Sequence, residues 1–443
     1  MSLQQAACLL VVLVVFVALT QRGRMQPFLA LILAGAGFGY AAGMATSQVG
    51  KAFGLGFQQG IATLGLIVVA GAMLTEIADA TGASARIRAA ARGWQRRSLP
   101  LTLIGLIAGI ASTPAAAFAV LSPLRRAIGG QAPRPVLALG LALSASHGLL
   151  LPAPVILAAV TILGADWSTA LLYGLPAALL AALAGALVAR TAVADDDTLP
   201  ETTEAMDGAT YHAPKRAALV LILVSAALIG LLVTQSLGDI ASEPLGGGSN
   251  REFIIGLGRP LVLLLVGVGA MLLLTWHWPR GGLSEEGWPG RAIARVAGLV
   301  LTVGAAVGLS KLAQETGMAE MNAERLLGWH PGPALALVLP FAVAAIMKLL
   351  QGSSLVAAIT AAGMMMELLA PLGLGDAPGR AFAALAIGAG AMTASHINDG
   401  LFWLVTDAAR LRPGAALARF SLGTALQGAV ALAALILLRL VTA

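Results

Sequence analysis

Charge is what this chain has least of. Only 11% of its 443 residues are Asp, Glu, Lys or Arg, while 58% are hydrophobic, and the mean hydropathy is +0.88. A soluble domain needs a charged surface, so this balance excludes one and points to a chain whose solvent is mostly lipid. Cysteine is nearly absent: the single Cys8 excludes an intramolecular disulfide and any Cys-built metal site. The five histidines, His147, His212, His277, His330 and His396, lack close ligand spacing. No GxxxxGK[ST], HExxH or GxSxG segment occurs, so neither a metal, a cofactor, direct ATP drive nor enzymatic chemistry is expected. The N-terminal Met1–Thr20 lacks a basic n-region and a small-residue cleavage site, and reads as a retained first span rather than a signal peptide. The net charge of +6 does not indicate nucleic acid. Its basic residues lie in short loops between apolar runs, where the positive-inside rule accounts for them.

What is abundant is apolar sequence punctuated by 53 Gly and 21 Pro. Runs near the ~20 residues that cross a bilayer as a helix recur along the chain. They predict spans at 4–20, 26–45, 56–78, 133–163, 168–190, 217–234, 260–276, 293–313, 378–407 and 415–438. Two further apolar segments, 99–128 and 333–370, are too long for one span and carry polar residues in the middle. Each reads as a re-entrant hairpin of two half-helices, a form tolerated only where protein or a wet cavity satisfies the broken backbone. The expected fold is therefore an all-α polytopic membrane protein of about ten spans plus two hairpins. Residues 1–55 form N-terminal scaffold spans, 56–190 a first repeat, 191–216 a polar cytoplasmic linker, 217–290 connecting spans and 291–443 a second repeat. Placing both termini outside puts most Lys and Arg in inner loops, including the Arg86–Arg97 stretch. Trp167, Trp276, Trp278 and Trp329 fit interfacial belts.

The repeat shows as weak self-similarity in constant order. Gly65–Gly82 resembles Val300–Gly317; Ser112-Thr113-Pro114 interrupts the first hairpin as Gln351-Gly352-Ser353-Ser354 interrupts the second; Leu143–His147 resembles Met392–His396. With the predicted topology the two copies are inverted, a recurrent design of secondary transporters in which substrate sits between broken helices at mid-membrane. The interruptions expected to meet there are Ser112-Thr113-Pro114, Ser146-His147, Gln351 to Ser354, and Ser395-His396-Ile397-Asn398-Asp399. Half-helix N-termini attract anions, and hydroxyl and amide side chains suit carboxylate and hydroxyl groups. The candidate substrate ligands are thus Ser112, Thr113, Ser146, His147, Gln351, Gly352, Ser353, Ser354, Ser395, His396, Asn398 and Asp399. Serine and threonine in membrane helices also bond back to the i−4 carbonyl, which is the plain structural alternative. Asp399, His396 and His147 are the candidates to carry a coupling proton, since an intramembrane ionisable residue is a functional hypothesis by default. Lys348 either attracts an anion or snorkels to an interface, and Glu76 and Lys311, at matching positions near helix ends, read as boundary residues.

Several stretches resemble the gluconate permease (GntP-type) family of organic-anion:proton symporters. GLIVVAGAMLTEIADATGASARI within Gly65–Ala91 is similar to its third-span region, and KLLQGSSLVAAITAA, Lys348–Ala362, to its basic-xx-Gln-Gly-Ser segment. AIGAGAMTASHINDGLFWLV, Ala386–Val405, is similar to its Ser-His-x-Asn-Asp-x-x-Phe-Trp signature, and His147–Gly174 to its Pro-rich region. The resemblance implies the ion-transporter superfamily fold, a homodimer in the cell inner membrane, elevator-like motion, and import of a small organic anion, such as a sugar acid or hydroxycarboxylate, with a proton. A sodium-coupled symporter, an exporter and a channel remain the alternatives. Two departures stand out: Pro114 is followed by Ala115, Ala116, Ala117 and Phe118 without a carboxylate, and the family's double Pro is reduced to Leu151-Pro152. A smaller, less polar wall suggests a substrate other than gluconate.

Overall fold

The computed structural model describes residues 11–12, 14–20, 22–90, 99–110, 112–129, 132–191, 198, 215–238, 248–275, 282–317 and 335–442. Cys8, most of the linker expected at 191–216, His212, His277, His330, Trp276, Trp278 and Trp329 lie outside them. The described residues are helical apart from turns and one isolated antiparallel bridge between Thr198 and Leu411. Among the described residues, six helices are long and apolar enough to cross a membrane, and a seventh results if Arg251–Leu257 and Pro260–Thr275, bent by 72°, count together. The remaining apolar runs are divided into shorter helices, and where they divide decides where the site lies.

Two long helices run side by side: α1 (Thr46–Ala80), ten residues longer at its start than the expected span at 56–78, and α2 (Trp288–Glu315). Gly56 and Gly60 of α1 face Gly304 and Gly308 of α2. A Cβ on Gly56 would stand 2.6 Å from the Val307 carbonyl oxygen, and one on Gly304 2.8 Å from the Phe57 ring. Spacing of four keeps both glycines of each pair on one face, so the backbones approach closely without side chains between them, as in other small-xxx-small packing in lipid. Glu76 and Lys311, expected as boundary residues, differ in fate. Glu76 is buried on α1 and pairs with Arg295 and, at 3.5 Å, with Arg291 of α2, whereas Lys311 pairs with Glu315 one turn on at 2.8 Å.

The centre is occupied by α3 (Pro133–Leu149) and α4 (Ala377–Ala391), buried on every side. A helix apolar all round belongs inside a bundle. Outside them lie α5 (Trp167–Arg190) and α6 (Pro413–Thr442), whose Leu172, Leu179, Leu183, Leu422 and Leu437 are exposed, as a lipid-facing surface requires. Gln427 of α6 donates from Nε2 to the carbonyls of Leu141 in α3 and Ala181 in α5, 3.0 Å each, tying three helices together. Asp166 caps α5 from outside the helix. Hydrogen bonds from Ser168, then Thr169, hold its carboxyl at about 2, below the usual range.

The expected span 133–163 is matched by Pro133–Leu163, whose helix is interrupted by a short turn at 150–153, whereas 378–407 is broken over a longer segment. After α3, Leu150–Ala153 leads into α7 (Pro154–Leu163); after α4, Met392–Asp399 leads into α8 (Gly400–Ala408). Pro152 and Pro154 lack the N–H groups that a continued helix would need, and Pro154 instead fits the first turn of α7. Ser146 and His147 therefore are not an interruption, as the sequence reading had them. They lie in the last turn of α3, and the break follows three residues later. Around the other polar segments, α9 (Leu99–Ala108) and α10 (Pro114–Val120) flank Ser112-Thr113, and α11 (Val338–Gln351) and α12 (Ser354–Met365) flank Gly352-Ser353. Packing is reciprocal: α9 lies on α3 and α11 on α4, while α12 packs on α7 and α10 on α8.

Candidate functional site

The breaks border an open cavity of about 1080 Å³. Its wall includes the start of α10 (Ser112 to Ala116), of α12 (Gly352 to Val356), of α7 (Pro154) and of α8 (Asp399 to Leu401). Each start is built by sequence. Thr113 Oγ1 accepts from Ala116 N at 3.4 Å with Pro114 following; Ser353 Oγ accepts from Val356 N at 3.3 Å; Asp399 Oδ1 accepts from Leu401 N at 2.9 Å. These are N-cap bonds, made by the residue types that favour that position. The two longest of these helices that carry a cap, α12 and α8, turn N–H groups and positive dipole ends toward the same space.

The opposite end, the C-terminus of α11, leaves carbonyls that need donors. Gly352 ends the helix at φ +73, where a Cβ would stand 2.9 Å from Asn398 Cγ, so the irregular segment after α4 can lie directly on it. That segment supplies the donors. His396 Nε2 lies 2.8 Å from the Leu349 carbonyl, and Asn398 Nδ2 donates to Leu349 O at 3.0 Å and Leu350 O at 3.4 Å. Ser310 of α2 donates to Gln351 O, and Lys348 Nζ donates to Gly352 O at 2.7 Å. The segment is held in turn by α6: Ser395 N donates to Thr424 Oγ1 at 3.0 Å and Ser421 Oγ to Ser395 O at 2.5 Å, while Trp403 Nε1 reaches Ile397 O at 2.8 Å. Non-helical backbone thus finds its partners inside the protein.

Lys348 is the decisive side chain. Its exposure is 2%, and Nζ meets Asp399 Oδ2 at 2.6 Å; Ser395 Oγ donates to the same oxygen. Snorkelling to an interface is therefore excluded for Lys348: its charge is held at the tip of the α11 break, and the residue lines the cavity. Of an ammonium's three donors, two serve Gly352 and Asp399.

The structure gathers Ser112, Thr113, His147, Gly352, Ser353, Ser354, Ser395, Asn398 and Asp399 around the cavity. Ser146, Gln351 and His396 are buried behind its wall. Ser146 Oγ lies 3.4 Å from Gly105 O of α9 and 3.5 Å from Leu143 O of its own helix, the plain back-bonding alternative. Buried His147 lines the cavity, and its Nδ1 is without a protein partner. Sequence reasoning missed Gln59, Thr63, Ser144, Ser310 and Gln314, all on the wall. The signal was present for four of them: Gln59 with Thr63, and Ser310 with Gln314, are polar pairs at i,i+4 on long membrane-crossing helices. Thr63 of the first pair lies within a π-helical turn of α1, Ile61–Gly65, a distortion frequent at functional sites.

Residues 4–441 match the description "GntP family permease". The chain belongs to that family. Among relatives, a gluconate permease of Pseudomonas aeruginosa is 29% identical over 415 residues, covering 89% of each chain. A gluconate permease of Zymomonas mobilis is 28% identical, covering 92% of this chain and 91% of its own. A D-serine transporter of Escherichia coli strain K12 is 28% identical, covering 90% and 89%. As a GntP-family permease, the chain is a multi-pass membrane protein, and its apolar outer leucines and buried polar centre fit that setting.

Proposed function

We propose that this permease is a secondary active transporter in the cell inner membrane that imports a small organic anion, a gluconate-like sugar acid or another hydroxycarboxylate, by proton symport. The observation that carries the reading is buried Lys348 beside the capped starts of α12 and α8 on one cavity wall. A fixed cation and helix N-termini together favour a carboxylate, and hydroxyls of Ser353, Ser354 and Thr113 suit a hydroxylated one. Family membership and relatives that carry gluconate support the substrate class.

Substrate would touch Ser112, Thr113, Ser353, Ser354, Ser395 and Asn398, with His147, Gly352 and Asp399 at the centre. Gln351 and His396 would support the tip of α11, and Ser146 the contact with α9. In this reading the chain has ten spans and two re-entrant hairpins in inverted repeats at 56–190 and 291–443. Its termini lie outside, it forms a homodimer, and the hairpin-bearing part moves as an elevator against the rest. The reciprocal packing of α12 on α7 and α10 on α8 supports the repeat.

The test is uptake of labelled carboxylates, gluconate included, into proteoliposomes under an inward proton gradient, with and without Na+. Saturable, gradient-driven, Na+-independent accumulation of one anion class is expected. Accumulation that needs Na+ at fixed pH would replace the proton with sodium, and silence across the panel would reject the substrate class.

A further inference from the structure

We propose that Lys348 is the substrate-carboxylate ligand and Asp399 the proton acceptor, and that the two exchange partners so that one proton and one monovalent anion cross together without net charge. The proposal deepens the symport reading and rests on it. As the site stands, the Lys348 ammonium and the Asp399 carboxylate neutralise each other at 2.6 Å, almost out of water at 2% and 15% side-chain exposure. An anion entering alone would leave the centre with one uncompensated negative charge in a low-dielectric interior, which is costly. A proton placed on Asp399 Oδ2 removes that charge. It also releases one Nζ donor from Asp399, and that donor turns to the incoming carboxylate while Lys348 keeps its bond to Gly352 O. Empty and loaded sites are then both neutral, so both can move through the membrane, and the half-loaded forms are disfavoured.

Other groups around the pair define its limits. Ser395 Oγ and Leu401 N hold Asp399 in place in either state, because a carboxylic acid still offers oxygens to accept from them. The further titratable groups whose charge would act on the pair are His147 of α3 and His396 in the segment after α4. His396 Nε2 is engaged with Leu349 O, which the neutral ring satisfies as an N–H donor. Arg259, the other cation on the wall among the described residues, is exposed and makes no contact with the pair. One buried cation is matched to one carboxylate, so a dicarboxylate has no second partner.

The experiment is uptake of a labelled monocarboxylate by reconstituted full-length protein with a one-unit inward pH gradient, repeated with an imposed inside-negative potential. Electroneutral one-to-one coupling predicts about tenfold accumulation per pH unit, unchanged by the potential, and no competition from succinate. A carrier moving one net charge would instead respond roughly fiftyfold to about 100 mV, and that response would overturn the proposal while leaving symport standing. Asp399→Asn, whose empty site carries an unmatched ammonium, should still exchange the anion but lose the gradient-driven tenfold rise, and Lys348→Gln should lose saturable uptake. His147→Gln and His396→Gln should each keep the one-to-one proton-to-anion ratio, even at reduced rate. A tenfold rise that survives Asp399→Asn and disappears with either histidine would move the proton elsewhere and refute the assignment. Absence of any gradient-driven uptake by the unaltered protein would defeat the symport reading itself. The insensitivity to potential is read on the unaltered chain and does not depend on any variant folding.

Discussion

Removing one member of the Lys348–Asp399 pair should damage the fold far more than removing both. In Lys348→Met, the Asp399 carboxylate keeps bonds from Ser395 Oγ and Leu401 N but loses its counter-charge. Breaking a buried pair in this way costs about 3–5 kcal/mol. The two surviving donors and the partial exposure of Asp399 put the expectation near the lower end, roughly 3 kcal/mol. Asp399→Asn keeps an amide oxygen for Leu401 N, and Asn caps a helix about as well as Asp, so nearly all its cost comes from the ammonium left with only Gly352 O. That cost is again roughly 3 kcal/mol. The double variant removes both charges, and unbranched Met fills the lysine stem's space, so it should lie within about 1 kcal/mol of the unaltered protein. Reversible unfolding in mixed micelles measures the cycle. The predicted interaction energy is several kcal/mol, well above the ~0.5 kcal/mol seen for independent sites. Simple additivity would show that the two charges do not depend on each other.

Gly352→Ala combines a positive φ with a Cβ 3.0 Å from the Asn398 carbonyl carbon. It should lower stability by at least about 2 kcal/mol in the same unfolding assay; unfolding at the parent midpoint would mean that the α11 tip does not rest on the 392–399 segment. Gln427→Leu gives up both bonds to Leu141 O and Ala181 O, for a loss of about 1–2 kcal/mol by unfolding. Ser353→Ala removes the α12 cap, about 1 kcal/mol, and should also raise the KM of uptake. An unchanged KM would make Ser353 a cap alone.

Much of the site was legible because chemistry in a membrane leaves a coarse trace. Polar residues inside apolar runs marked Ser112-Thr113, Gln351 to Ser354 and Ser395 to Asp399, and these segments do converge. The misplaced break at Ser146-His147 came from weighting polar residues over backbone chemistry. Pro152 and Pro154 settle where that helix ends, and the two polar residues sit comfortably in the last helical turn. Lys348 was undecidable from sequence, because burial and snorkelling differ only in where the helix lies relative to lipid. The ion pairs of Glu76 were hidden for the same reason, since Arg291 and Arg295 are more than two hundred residues away in sequence and meet it where α1 packs on α2. The i,i+4 pair Ser310 and Gln314 shows that a helix with no break can still contribute to the wall.

Transport by this route requires a carboxylate to occupy the cavity between the starts of α10, α12, α7 and α8. Ser354→Cys in a Cys8→Ser background places one thiol on that wall, and Leu283→Cys, at an exposed position, serves as the control. Gluconate or the carboxylate found in the uptake panel should slow thiol labelling at Ser354→Cys in proportion to its occupancy and leave Leu283→Cys unaffected. Undiminished labelling of Ser354→Cys at concentrations that saturate uptake would place the anion's path elsewhere.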